Sequence, residues 1–193
     1  AIQTHLDSQP GQEVISWPVF EAVREAWAGR IALQAVCLVG IERVREAALF
    51  SALADRVAAA KGVLGAVTYM VPDVEDLIDA VFRAAMDRGL DLDFHADETA
   101  DPGSVSLRLI AEAALRHRFP GKILVGHCCS LSQQPDAEAL RTLDLVAEAG
   151  LSIVSLPMCN LYLQDRRADS TTPRWRGVTL VHEFAVRGVP VAF

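Results

Sequence analysis

The amino-acid sequence predicts a parallel α/β fold, and three observations carry that prediction. Four segments, "AAAKGVLGAVTYM", "AAMDRGLDLDFHA", "VAEAGLSIVSLPM" and "FAVRGVPVAF", pass from an amphipathic stretch through a glycine directly into an apolar run. This order reads as helix, glycine cap and strand, because glycine takes the left-handed backbone that ends a helix at little steric cost. The strand candidates recur roughly every thirty residues and alternate with helical segments. They are nearly continuous apolar runs, as strands covered on both faces require, rather than alternating ones.

In order, strands are expected near 2–6, 31–37, 63–69, 91–96, 122–127, 151–156 and 189–193. "AWAGRIALQAVCL" and "FPGKILVGHC" are variants of the same grammar with the glycine one or two positions earlier. Amphipathic helices are expected at about 41–60, 74–88, 103–117, 136–149 and 177–187. The stretch "CNLYLQDRRADSTTPRWRG", residues 159–177, reads as a long polar loop of the functional kind. Seven strands without a Gly-rich dinucleotide fingerprint leave two architectures, an open doubly wound sheet and a (β/α)8 barrel, which periodicity does not separate.

Composition narrows the function classes. With 193 residues and 51% hydrophobic content the chain can bury one sizeable core, and no linker or second domain is visible. No apolar run reaches the eighteen or so residues of a membrane span, so no membrane partner is expected. A net charge of −7 argues against a nucleic-acid polymer as partner. Cys37, Cys128, Cys129 and Cys159 are irregularly spaced, which fits reduced thiols in a cytoplasmic protein.

In parallel α/β folds ligands bind at the carboxyl ends of the strands. Those ends carry His5 and Asp7, Cys37, Tyr69, His95 and Glu98, His127, and Cys159 with Asn160. Three of the five histidines sit there. Any one could merely satisfy a buried hydrogen bond, whereas three together point to metal binding or acid/base chemistry. Glu98 stands three positions after His95, an odd offset that would face it away within a strand, so it is expected beyond the strand in a turn back toward the mouth. There it could move protons, or it could cap or flank the helix starting near Pro102, for which Asp101 is the better N-cap. Cys128 beside His127 is a poor nucleophile candidate, because adjacent strand residues face opposite ways. No G-x-S-x-G elbow, P-loop, H-E-x-x-H or P-C-x-x-C pattern is present, although "HADE" superficially suggests the last group.

Taken in order, "DFHADE", "ILVGHCCS" and "SLPMCNLYLQDR…TPRWRG" resemble the central barrel strands of the cytosine deaminase branch of the amidohydrolase superfamily, and the resemblance runs from "THLD" to "GVPVAF". It implies a (β/α)8 TIM-type barrel domain over 1–193 that is incomplete in this chain. Ala1 would fall at the second barrel strand and Phe193 within the eighth, leaving out the first strand with its H-x-H ligand pair and the end of the eighth with its metal-binding aspartate. His5 and Asp7 match a second-strand "THxD" and not that pair. One divalent metal ion, zinc or iron, is implied, with His95 as a ligand, Glu98 as the proton shuttle and His127 as the group that orients the attacking oxygen and the substrate.

The family's substrate-reading glutamine is replaced by "CLVGIE", so Cys37 and Leu38 would offer an apolar wall, and the loop around Asn160 and Trp175 would shape the rest of the pocket. The implied reaction is metal-dependent deamination of a small cyclic amidine or aminated N-heterocycle other than cytosine, with release of ammonia. Cyclic amide or hydantoin ring hydrolysis, and a non-catalytic fragment of such an enzyme, are the alternatives. Two unpaired sheet edges would favour association, so a homo-oligomer is also an expectation.

Overall fold

The computed structural model describes residues 1–166, 168 and 171–193. Part of the loop expected over 159–177, at positions 167, 169 and 170, thus lies outside the described residues. Seven strands are present: β1 (Ile2–Asp7), β2 (Leu33–Leu38), β3 (Leu64–Thr68), β4 (Leu92–Ala96), β5 (Ile123–His127), β6 (Ser152–Val154) and β7 (Val191–Ala192). Every ladder is parallel, and the strands follow one another in chain order. The β2 to β3 junction is carried by the bridges Val36 to Val63 and Gly40 to Val67, with Cys37 N donating to the Val63 carbonyl at 2.9 Å. A doubly wound sheet would reverse its order at a switch point; a barrel does not. The result is an open arc of the (β/α)8 type, with β1 and β7 as its edges among the described residues.

Among the described residues seven helices connect these strands: α1 (Glu13–Ala26), α2 (Ala47–Ala59), α3 (Val74–Met86), α4 (Ser106–His117), α5 (Asp136–Glu148), α6 (Pro157–Leu163) and α7 (Val181–Val186). Their apolar faces pack on the arc, and α3 is the clearest case, burying Ile78, Val81 and Phe82 against Phe94 of β4. None of the described helices is long and apolar enough to cross a membrane.

Four departures from the sequence expectation have physical causes. Only the end of helix α1, in "AWAG", is among the sequence expectations, and the helix extends back to Glu13 despite Pro18 in its interior. The helix survives because Val14, whose carbonyl loses its partner, is 58% exposed and water can serve it, while Trp17 and Phe20 anchor the opposite face. The helix expected at 41–60 splits into a 3-10 turn, Ile41–Arg45, and α2, with Glu46 out of helical conformation between them. The stretch beginning at 159 is not all loop, since α6 starts at Pro157, whose fixed backbone angle suits a first helical turn. Of the four expected glycine caps, Gly89, Gly150 and Gly188 are left-handed, but in "AAAKGVL" the left-handed residue is Lys61 rather than Gly62.

Gly65 in β3 is where the arc is tightest. A Cβ there would stand 2.4 Å from the Cys37 carbonyl oxygen and 2.8 Å from that of Asp93, both backbone atoms that cannot rotate away. Gly65→Ala should therefore destabilise the protein by about 1–3 kcal/mol, the usual cost of overpacking. Urea unfolding measures this, and an unchanged midpoint would contradict the packing of β2, β3 and β4.

Candidate metal centre and active site

The density of polar residues in "LDLDFHADET" resolves into separate tasks along β4 and its C-terminal turn. Asp91, before the strand, accepts a bond from the Lys122 backbone N–H at 2.7 Å and ties β4 to the start of β5. Asp93 and His95, two apart, share one strand face. The Asp93 side chain is 3% exposed, and its Oδ1 lies 3.4 Å from His5 Nε2 and 3.8 Å from His95 Nε2. The His5 and His95 rings meet edge to face with centroids 4.4 Å apart. These groups line a cavity of about 90 Å³ inside the arc, together with Gln3, Leu124 and Gly126.

Beyond His95 the chain must turn, and Asp97 makes that turn in the left-handed region at φ 56°. Its buried carboxylate accepts from Ser104 Oγ at 2.7 Å, Ser106 N at 2.9 Å and Leu107 N at 2.8 Å, so it caps α4 from outside the helix. Asp101, the residue expected to cap this helix, instead accepts from Gly103 N at 2.8 Å within its own turn. Asp97 cannot rotate without losing three bonds, and Glu98 is delivered to the mouth as a consequence.

At the mouth Glu98 joins a connected set of polar groups. Asn160 of α6, 1% exposed, donates from Nδ2 to Glu98 Oε1 at 3.0 Å, and the same nitrogen lies 3.2 Å from His127 Nδ1. His127 Nδ1 is 3.3 Å from Glu98 Oε1, and its Nε2 is 3.2 Å from His95 Nδ1. The Cys159 thiol adds a weak donor to Glu98 Oε1 at 3.9 Å. His127 and Cys128 end β5 with φ of 69° and 50°, so the strand-alternation argument does not apply there. Cys128 is nonetheless fully buried, and burial pushes its thiol well above the ordinary range.

Burial sets the charge of these groups. It lowers His95 to about 4, with the neighbouring His5 adding to the effect and Asp93 opposing it. It lowers His127 as well, with the neighbouring Asn160 side chain opposing, and it raises Glu98 against His95 and Asn160. His95 and His127 are therefore held toward the neutral form, the form in which an imidazole nitrogen can bind a metal. His5, Asp93 and His95 offer donor atoms that all lie within 4.8 Å of one another. Two imidazoles and a carboxylate fit a divalent ion such as zinc or iron in donor chemistry.

The sequence-predicted residues divide into those brought together and those that are not. His95, Glu98, His127 and Asn160 converge, with Asn160 turned toward Glu98 and His127. Trp175 is half-buried nearby, donating from Nε1 to Ser132 Oγ at 3.3 Å and from its backbone N–H to Asp165 at 3.1 Å. Leu38 is half-buried at the end of β2. Cys37 is fully buried in the core, and burial raises its thiol to about 11. Sequence reading took His95 as the one ligand within the chain and passed over Asp93 and His5 as its neighbours. The spacing of two between Asp93 and His95 was the available signal for the first.

Comparison with known proteins follows this geometry. Residues 26–193 match the model of the amidohydrolase family. A pterin deaminase of Rhizobium rhizogenes strain K84 is 53% identical over 191 residues, which is 99% of this chain and 44% of that protein. The chain thus spans less than half the length of this relative. The crystal structure of 5-methylcytosine deaminase from Klebsiella pneumoniae liganded with 5-fluorocytosine superposes with a TM-score of 0.84 at 25% identity, covering 98% of this chain and 46% of that one. N-isopropylammelide isopropylaminohydrolase from Burkholderia multivorans shares the fold, with a TM-score of 0.66 at 22% identity over 98% of this chain and 45% of its own.

Asp97 gives the site its sharpest stability test. Asp97→Ala strands three donors, two of them backbone N–H groups, and each buried unpaired donor costs about 1–3 kcal/mol. A loss of about 2–4 kcal/mol is expected by chemical denaturation. A variant as stable as the parent would show that the turn holds itself without the carboxylate.

Proposed function

The chain belongs to the amidohydrolase family, and from that premise we propose that the protein is a metal-dependent hydrolytic deaminase of a 2-amino-4-oxopteridine, a pterin. The observation that carries the reading is the convergence of Glu98, His127 and His95 through contacts of 3.2–3.3 Å at the mouth of the arc. The 53% identity to a pterin deaminase supports the substrate class. The replacement of the cytosine-reading turn by "CLVGIE" supports a substrate other than cytosine.

His95 would hold the divalent ion, with His5 and Asp93 the nearest further donors in this chain. The ion, when bound, supplies Lewis acidity that lets water ionise near neutral pH. Glu98 takes one proton from the attacking water and gives it to the ring nitrogen, then takes the second from the added hydroxyl and gives it to the departing amine. His127, fixed between His95 and Glu98, orients the attacking oxygen and polarises the substrate. Water adds at the carbon that bears the amino group, the C–N bond breaks, and nitrogen leaves as ammonia. Burial holds His95 and His127 toward the neutral form, in which they do not repel an incoming cation.

Four unpaired cysteines support a cytoplasmic setting. A small heterocycle, rather than a polymer, is the partner proposed for the mouth.

Ammonia release and mass analysis of the product, with pterin and the full-length protein, test the proposal. Nitrogen should be lost; a product that had gained water and kept its nitrogen would mean ring hydrolysis instead. Glu98→Gln should lower kcat/KM by about 10²–10⁴-fold, the usual contribution of a general acid/base, and near-parental activity would remove Glu98 from the mechanism. Chelation should abolish turnover, and zinc or ferrous iron should restore it, which also identifies the metal.

A further inference from the structure

The polarity of the hydrogen-bond chain around Asn160 assigns separate tasks to the two oxygens of Glu98. We infer that Asn160 is a positioning residue that anchors Glu98 through Oε1, with His127 Nδ1 as the second anchor, so that Oε2 alone is left to carry the proton. This rests on the proposed function for what Glu98 does, but the arrangement itself is a property of the chain.

His95 sets the polarity of these bonds. With its Nε2 toward Asp93 serving as the metal donor, its single proton must sit on Nδ1, because a neutral imidazole carries one proton. That Nδ1 lies 3.2 Å from His127 Nε2, which must then accept. His127 in turn carries its proton on Nδ1, which faces Glu98 Oε1 at 3.3 Å. Asn160 Nδ2, 3.2 Å from the same His127 nitrogen, meets a donor there and so gives its hydrogen to Glu98 Oε1 at 3.0 Å. Two donors and the weaker Cys159 thiol converge on one oxygen. Among the described residues no bond to Glu98 Oε2 is found.

The backbone supports the same reading. Gln164, one turn beyond Asn160, lies with its amide nitrogen 3.4 Å from the Glu98 carbonyl, so the α6 segment holds Glu98 at both ends. Asn160 is 1% exposed. So deeply buried, and with one amide hydrogen committed to Glu98, Asn160 is placed to hold the carboxylate in position.

Two measurements test this on the full-length, metal-loaded protein. In kinetics with pterin, Asn160→Ala should lower kcat by about 10²-fold, as small misplacements of catalytic groups do, with KM and metal content unchanged. Asn160→Leu, which keeps the shape and donates nothing, should behave alike and covers the case in which the alanine variant fails to fold. A raised KM with parental kcat would overturn the inference and return Asn160 to the substrate. In NMR of protein with nitrogen-15-labelled histidine, assigned through His127→Gln, the parent should show a His127 Nδ1 proton protected from solvent exchange. That proton should be lost to rapid exchange in Asn160→Leu. Its persistence there, or a bare Nδ1 in the parent, overturns the inference. The NMR needs no substrate, so an inactive parent with the expected spectra would refute the deaminase reading and leave the role of Asn160 standing.

Discussion

The left-handed backbone at Asp97 is the constraint on which the site depends. A strand alternates its side chains, so Glu98 cannot share the mouth with His95 unless the chain reverses its twist between them. Holding a residue other than glycine in that region costs about 1–3 kcal/mol. Three hydrogen bonds to the Asp97 carboxylate, at about 1.5–3 kcal/mol each for a charged acceptor, exceed that cost. The neighbouring strand repeats the device: His127 and Cys128 are also left-handed, and Cys128 N donates to the Ala96 carbonyl at 2.9 Å, while Ser130 N donates to that of Asp97 at 3.1 Å. The two strand ends are thus bonded to each other as well as to the helix below. Strain concentrated at the mouth is held by hydrogen bonds concentrated at the mouth.

What could be read from the sequence follows from the range of each interaction. Strands were legible because each is a contiguous apolar run, and the caps at Gly89, Gly150 and Gly188 because the cap sits between helix and strand. Architecture was not legible in periodicity, since barrel and doubly wound sheet share the same local grammar and differ only in strand order, and it was the family resemblance that pointed to the barrel. Helix α1 was expected only at its end, and over its length the local penalty of Pro18 is outweighed by the burial of Trp17 and Phe20. The cap of α4 was misassigned to Asp101 because the true acceptor lies nine and ten residues from the N–H groups it serves, outside any capping pattern.

The site shows the same division. His95, Glu98 and His127 were picked out by their places at strand ends and by the resemblance. The contact of His5 with Asp93 spans 88 residues, and that of Asn160 with Glu98 spans 62. No pattern within either segment announces such a pairing. It becomes visible only when the arc curves and α6 folds over the end of β4.

Burial then does with one cause what separate tuning would otherwise require. Removing water disfavours whichever form is charged, so it raises the carboxylic acid and lowers the imidazoles. In this chain it raises Glu98 and lowers His95 and His127, and in each case burial outweighs the neighbouring charges and bonds. The affinities of carboxylate and imidazole for a proton, ordinarily about two units apart, are thereby drawn toward one another. A proton passing along the hydrogen-bonded set meets a shallower step than it would between the same groups in water. The anchoring donors on Glu98 work against the shift, and if they were more numerous they would hold the carboxylate ionised and idle. A shuttle needs enough donors to fix its position and too few to fix its charge, and the Asn160 amide with His127 Nδ1, both on Oε1 of a partly exposed carboxylate, meets both needs.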